Sequence, residues 1–222
     1  MIEIPFVRPW NVRTPILTRY LEQEYVDEFF DSGKLRISSF KAFRKHEDAQ
    51  RGDTSEGTIN SKITTPSGAY GTLLISNQEA YVLCASTIEN KNMKATFETN
   101  SGFRINNSLG FANAVSRYIP GFYEGMEGLC SYRKDTLIQK HDDNPSSLPN
   151  RMPNNFESPE AWRAEINRYA IELANEAFFI KHISYSHQGE YRMIWIASGG
   201  EKQYIDIICP EARQFCQPLK DL

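Results

Sequence analysis

The residues with the clearest capacity for chemistry are Gln188 and Glu190, in the segment His187-Gln188-Gly189-Glu190-Tyr191-Arg192 that runs into the apolar Met193-Ile194-Trp195-Ile196-Ala197. They stand where a loop turns into a buried strand. In an extended chain alternate side chains point the same way, so the amide and the carboxylate would share one face. Such a pair can hold one substrate hydroxyl and orient a second reactant. The competing reading is a solvated turn in which Glu190 and Arg192 merely flank the strand entry.

A second candidate is Arg19, a cation inside the otherwise apolar run Ile16-Leu17-Thr18-Arg19-Tyr20. Its planar fork suits phosphate or carboxylate, and a structural salt bridge explains it equally well. Farther on, Lys34-Leu35-Arg36-Ile37 begins a strand that ends at Ser38-Ser39-Phe40. The segment from Arg51 to Glu56 then carries Arg51, Asp53 and Glu56. It reads as a charged loop closing over a ligand, as a divalent-metal site on Asp53 and Glu56, or as a solvated charge run. Lys181 and Tyr185 alternate with apolar residues and are assigned to the polar outer face of a strand.

Three helices would position these residues. One covers about Glu24 to Asp31, with Gly33 as its stop. Another covers Leu109 to Tyr118, with Ser108 as N-cap and Pro120-Gly121 beyond it. The third starts at Ser158-Pro159 and carries the apolar stripe Trp162, Ile166, Tyr169, Leu173 and Ala177. Short β-branched or aromatic runs predict strands at 16–20, 35–39, 72–76, 81–85, 102–105, 179–184, 190–197 and 204–209. Strands and helices do not alternate regularly, which excludes a doubly wound parallel sheet and predicts one mixed, mostly antiparallel α+β domain over residues 1–222. Residues 141–157, rich in proline and asparagine, read as a long exposed loop.

Bulk properties narrow the class. The 222 residues are 40% hydrophobic and 24% charged, with a net charge of −3. That composition supports a soluble core and speaks against general nucleic-acid binding. No apolar stretch approaches the ~20 residues of a membrane span, and Met1-Ile2-Glu3-Ile4-Pro5 is not a signal peptide, so a cytoplasmic protein is expected. Cys84, Cys130, Cys209 and Cys216 lack zinc-ligand spacing and read as reduced, structural thiols, Cys84 within a buried strand.

Taken in order, several of these segments resemble a bacterial family catalogued as domain of unknown function 2971. The likeness lies in the arginine-bearing first strand, the Ser-Ser strand end, Cys84-Ala85-Ser86, Gly102-Phe103-Arg104-Ile105 and Glu190-Tyr191-Arg192. Where many members carry Asn-Asp-Pro-x-Glu, this chain has Arg51-Gly52-Asp53-Thr54-Ser55-Glu56. More distantly, the order of arginine strand, helix, hydroxyl-ended strand and late Gln-x-Glu is similar to that of ADP-ribosyltransferases. That resemblance implies a split sheet and NAD as substrate, with no metal. It makes Glu190 the catalytic carboxylate and Gln188 the acceptor-orienting residue. Arg19 would grip the dinucleotide, Ser38 and Ser39 would support its nicotinamide side, and Phe40 would complete the cofactor-binding set. The acceptor would be a protein, RNA or DNA, in a toxin or phage-defence setting with an antitoxin or regulatory partner and no membrane. The rival classes are a noncatalytic nucleotide- or protein-binding module and a metal-dependent nuclease built on Asp53, Glu56 and Glu190.

Overall fold

The computed structural model describes residues 14–44, 57–64, 70–76, 80–134, 137–141, 160, 175–198 and 202–219. The chain enters as strand β1 (Leu17–Leu21), turns into helix α1 (Gln23–Ser32) and returns as β2 (Lys34–Ser39). Helix α1 buries Val26 and Phe29 and ends at Gly33, whose φ of 82° lets its N–H reach Phe29 O. A Cβ there would lie 2.5 Å from the Cys209 carbonyl carbon, so only glycine fits. A short helix α2 (Phe40–Arg44) follows, then β3 (Thr58–Thr64), β4 (Tyr70–Ser76) and β5 (Ala80–Ser86). Helix α3 (Lys91–Thr96), β6 (Ser101–Ile105), α4 (Ser108–Ser116) and β7 (Phe122–Leu129) continue the order. The remaining strands are β8 (Ser131–Arg133), β9 (Leu137–His141), β10 (Ile180–His182), β11 (Glu190–Ala197), β12 (Tyr204–Ile208) and β13 (Cys216–Pro218).

Eight of these strands form one antiparallel sheet in which β5 is the hub. One edge of β5 pairs with β11 from Glu190↔Ser86 to Ile196↔Ala80. Its other edge is shared. β2 pairs there at Ser38↔Val82 and Ser39↔Tyr81, and β1 pairs only at Thr18↔Ser86. Leu83, Cys84 and Ala85 lie between the two contacts, so the sheet divides at this point into a β2–β12 arm and a β1–β6–β13 arm. Parallel pairing is confined to β8 with β10 and β3 with β9 among the described residues.

Each face of the sheet has its own apolar cluster. On one, α1 and α4 press Phe29, Phe111 and Val115 against Leu17, Ile37, Leu83, Phe103, Met193 and Trp195. Phe29 and Phe103 stack with ring centroids 4.7 Å apart. On the other, Phe40, Ala80, Val82, Phe178 and Ile194 pack together.

The chain is therefore a mixed α+β fold with a mainly antiparallel sheet, as its unalternating pattern predicts. The expected first helix falls within α1. The expected second helix begins one cap earlier than the sequence suggests: Asn107, not Ser108, is the N-cap, its side-chain oxygen accepting from Gly110 N. The expected strand at 179–184 stops at His182, and residues 183–188 form a 3-10 turn. Most of the expected third helix, the 142–157 part of the long loop, and Arg51, Asp53 and Glu56 lie outside the described residues; Ala177 is described and buried.

Candidate functional site

Glu190 is the first residue of β11, and the register sets Thr18, Ser86 and Glu190 in one row across β1, β5 and β11. Paired residues in neighbouring strands point to the same face, so this row presents two hydroxyls beside a carboxylate. Gln188 joins it by a different route from strand alternation. It ends the 3-10 turn, and Gly189, at φ 52°, reverses the backbone between the two. The turn is anchored by Ser86, whose Oγ donates to Gln188 O at 2.6 Å and accepts from Ile88 N at 2.9 Å. A Cβ at residue 189 would meet Ile88 Cγ1 at 2.8 Å, so the turn requires glycine both for space and for conformation.

The Glu190 carboxylate is buried and doubly paired. Arg192 Nε donates to its Oε1 at 2.6 Å, and Lys181 Nζ is bonded to its Oε2. Arg192 is fixed further by Nη1 donating to Phe178 O at 2.6 Å and by the Phe40 ring, 5.6 Å from its guanidinium carbon. Lys181 also donates to Gln188 Oε1 at 3.0 Å and lies 4.8 Å from the Tyr185 ring centroid. The Cys130 thiol contacts Oε1 at 3.6 Å, and the Glu190 N–H donates to the Tyr132 hydroxyl at 2.7 Å. Burial by itself would raise the Glu190 carboxyl pKa, but the charges and hydrogen bonds of Arg192 and Lys181 outweigh it and hold the value at about 2. Glu190 is therefore ionised at any physiological pH.

A cavity of about 260 Å³ opens where β1 and β2 part from β5. Thr18, Ser86, Gln188, Glu190 and Lys181 line it, as do Arg19, Arg36 and Ser38. Tyr20 and Phe97, also in the lining, stack with centroids 5.8 Å apart. Cys84, a half-buried free thiol packed against the cluster of Phe40 and Val82, belongs to the lining as well. Somewhat below the ~300–1,000 Å³ typical of ligand pockets, the cavity can enclose part of a dinucleotide, not all of it.

Of the residues singled out from sequence, Arg19, Ser38, Gln188 and Glu190 meet at this cavity. Ser39 and Phe40 do not. Ser39 is buried with its hydroxyl donating to Gln203 O, and Phe40 is buried beneath Arg192, where it packs the site from behind. Arg19 arrives unexpectedly. Its neighbour Thr18 is the residue in register with Ser86 and Glu190, so Arg19 leaves β1 on the opposite face, between Leu17 and Leu21. Its Nη2 reaches Arg36 O at 3.4 Å, and its Nε is buried without a hydrogen-bond partner among the described residues. Burial lowers its pKa to about 10, which leaves it charged at neutral pH. No ion pair accounts for it among the described residues.

The assignment of Lys181 to a wet strand face is corrected: it is 6% exposed, drawn inward by Glu190 and Gln188. The reading of Glu190 and Arg192 as a solvated strand entry fails for the same reason, since they are 5% and 0% exposed. Sequence reasoning missed Lys181, Arg192, Ser86 and Thr18 as site residues. For Lys181 a usable signal existed, a cation inside the apolar run Phe178-Phe179-Ile180-Lys181-His182-Ile183. The row of Thr18, Ser86 and Glu190 is a product of register and has no local signal.

Among the described residues no three His, Cys, Asp or Glu side chains gather in a metal-binding group. No described helix is long and apolar enough to cross a membrane. No protein-family model, curated protein or solved structure matches the chain.

Proposed function

We propose that the protein binds NAD in the cavity at the division of the sheet and transfers its ADP-ribose to an acceptor. The observation that carries this reading is the Thr18–Ser86–Glu190 row, with Gln188 beside it, facing a cavity bordered by Arg19, Arg36 and Lys181. The cations suit a diphosphate. The stacked Tyr20 and Phe97 offer an apolar wall to a planar ring. The hydroxyl residue that the resemblance assigns to the nicotinamide side has its best counterpart in Ser86, across from Glu190, with Ser38 on the far rim.

In the reaction the bond between ribose C1′ and the nicotinamide nitrogen breaks. Its electron pair leaves with nicotinamide, and positive charge develops on the ribose. An ionised carboxylate accepting a hydrogen bond from a ribose hydroxyl stabilises that charge, as carboxylates do in glycoside cleavage. The acceptor's oxygen or nitrogen then bonds to C1′ and gives its proton to solvent; with water in that place the outcome is NAD hydrolysis. The same cations also fit a second reading, noncatalytic binding of a phosphate-bearing nucleotide, because one of them, Lys181, already neutralises Glu190 together with Arg192.

Incubation with NAD labelled in the adenine half, with cell lysate present, separates the two. Transfer predicts nicotinamide release together with labelled protein or nucleic acid. Glu190→Gln, verified as folded by circular dichroism, should lower release by about 10²–10³-fold. Binding of NAD by the wild type with no nicotinamide release under any lysate would leave the binding reading alone.

A further inference from the structure

The polar row beside the cavity continues past Thr18, and its hydroxyl protons are committed within the protein. Arg104 on β6 is in register with Thr18, so the row reads Arg104, Thr18, Ser86 and Glu190 across β6, β1, β5 and β11. Glu89 closes its outer end. Arg104 Nε donates to Glu89 Oε2 at 2.6 Å, Arg104 Nη2 donates to Oε1, and Thr18 Oγ1 donates to Oε2 at 3.0 Å. Hydrogen bonding from Arg104, above all, holds the Glu89 carboxyl below its ordinary value, so it is ionised at neutral pH. An ionised carboxylate only accepts hydrogen bonds, and a hydroxyl has a single proton to give. Thr18 therefore spends its proton on Glu89, which is not part of the cavity lining, while Thr18 itself is. The Ser86 proton is likewise spent, on Gln188 O. Thr18 is 2% exposed, and no described residue donates to its oxygen. What it offers the cavity is a lone pair.

We propose that Thr18 is a specificity residue, a hydroxyl locked as an acceptor by Glu89, which selects the amide form of the dinucleotide by taking a hydrogen bond from its carboxamide NH2. The proposal rests on the reading of the cavity as an NAD site. Tyr20 shares the face of Thr18 on β1 and stacks with Phe97, and both rings belong to the lining. A pyridinium ring lying against that wall has its carboxamide beside Thr18, and the amide supplies the proton that the lone pair lacks. A carboxylate in place of the amide sets oxygen against oxygen, and a methyl ketone supplies no proton. In either case the buried acceptor goes unmet, which is how a polar pocket rejects a close analogue.

Calorimetric titration of the full chain tests this with four probes: NAD, nicotinic acid adenine dinucleotide, acetylpyridine adenine dinucleotide and the ringless ADP-ribose. The wild type should bind NAD about three- to tenfold more tightly than the ketone, and the acid more weakly still. Thr18→Val, close in shape, should lose the preference for NAD over the ketone by weakening NAD, with ADP-ribose unchanged; Thr18→Ser should keep it. In Glu89→Gln, Arg104 holds the amide oxygen and the amide nitrogen donates to Thr18, which frees the hydroxyl proton for the cavity. The ketone and the acid should then bind more tightly than to the wild type, a gain that a merely structural pair would not produce. If Thr18→Val does not fold, Thr18→Ser and Glu89→Gln carry the comparison. An unchanged preference in Thr18→Val or in Glu89→Gln overturns the proposal, as does loss of ADP-ribose together with NAD in Thr18→Val. A wild type that binds ADP-ribose and all three dinucleotides alike overturns it and leaves the NAD site standing. A wild type that binds none of the four removes the NAD site and this proposal with it.

Discussion

Two arginine–carboxylate pairs each give one member to the cavity lining, Arg36 and Glu190, from opposite environments, and they differ in what they can do. Arg36 on β2 makes two hydrogen bonds to Asp206 on β12, at 2.8 and 2.9 Å, and lies over the Tyr204 ring at 4.2 Å. Both side chains are substantially solvent-exposed, at 58% and 39%. The geometry is good, yet water screens the charges and either partner can be lost without stranding the other. Arg192 and Glu190 are equally well aligned but sealed from water, with Lys181 as a third charge. There each charge is tolerable only because its partners are present. The exposed pair is a clasp between two strands at the sheet edge. The buried group ties three charges together at the mouth of β11.

The largest expected effect follows from breaking the buried group. Glu190→Gln leaves Arg192 and Lys181 facing a neutral amide in place of a carboxylate, and breaking a buried ion pair by removing one partner costs about 3–5 kcal/mol. Urea or thermal unfolding of the variant measures it. A loss below ~1 kcal/mol would show that water reaches the group and that its burial is not effective.

Acid titration sharpens the same contrast. The Glu190 carboxyl sits at about 2 in the folded chain against an ordinary 4.5. A carboxyl with a depressed folded pKa stabilises the protein above its unfolded value, and that contribution disappears as pH falls toward the folded one. Stability should therefore decline from about 4.5 down to about 2 as this proton is taken up. In Glu190→Gln the slope of unfolding free energy against pH over that window should be shallower by up to ~1.4 kcal/mol per unit, the value for one proton. Identical slopes in the two proteins would mean that Glu190 titrates alike folded and unfolded.

How far the sequence foretells such a site depends on how local its causes are. Helix α1 was legible because its apolar spacing and Gly33 are contained in a dozen residues. β11 was legible because an apolar run follows a glycine turn. β7 was not: Phe-Tyr-Glu-Gly-Met-Glu-Gly-Leu mixes glycine and glutamate, and this strand is held by pairing with β11 on one side instead of by its own propensity. Gln188 and Glu190 could be picked as a pair, but their closeness comes from the left-handed Gly189 and the Ser86 anchor, not from strand alternation. Ser39 and Phe40 looked equivalent to Ser38, and only the register of β2 with β5 shows Ser38 on the face of Val82 while Ser39 pairs with Tyr81 on the core face. The inward turn of Lys181 depends on a partner nine residues away across a 3-10 turn, which no pattern of alternation encodes.

The smallest expected effect belongs to the clasp. Asp206→Ala removes both hydrogen bonds of Arg36 but leaves its guanidinium in water and over the Tyr204 ring. The pair holds the Asp206 carboxyl below its ordinary value through the Arg36 hydrogen bonds, although at this exposure solvent screens most of that energy. The loss in stability should lie below ~1 kcal/mol and shrink further at high salt. Denaturant titrations of wild type and Asp206→Ala at low and high ionic strength give both numbers. A cost comparable to that of Glu190→Gln, insensitive to salt, would erase the distinction between the two pairs. It would also mean that the arm formed by β2 and β12 depends on Arg36 for its attachment, more than on the buried Leu35, Ile37, Ile205 and Ile207 that it contributes to the core.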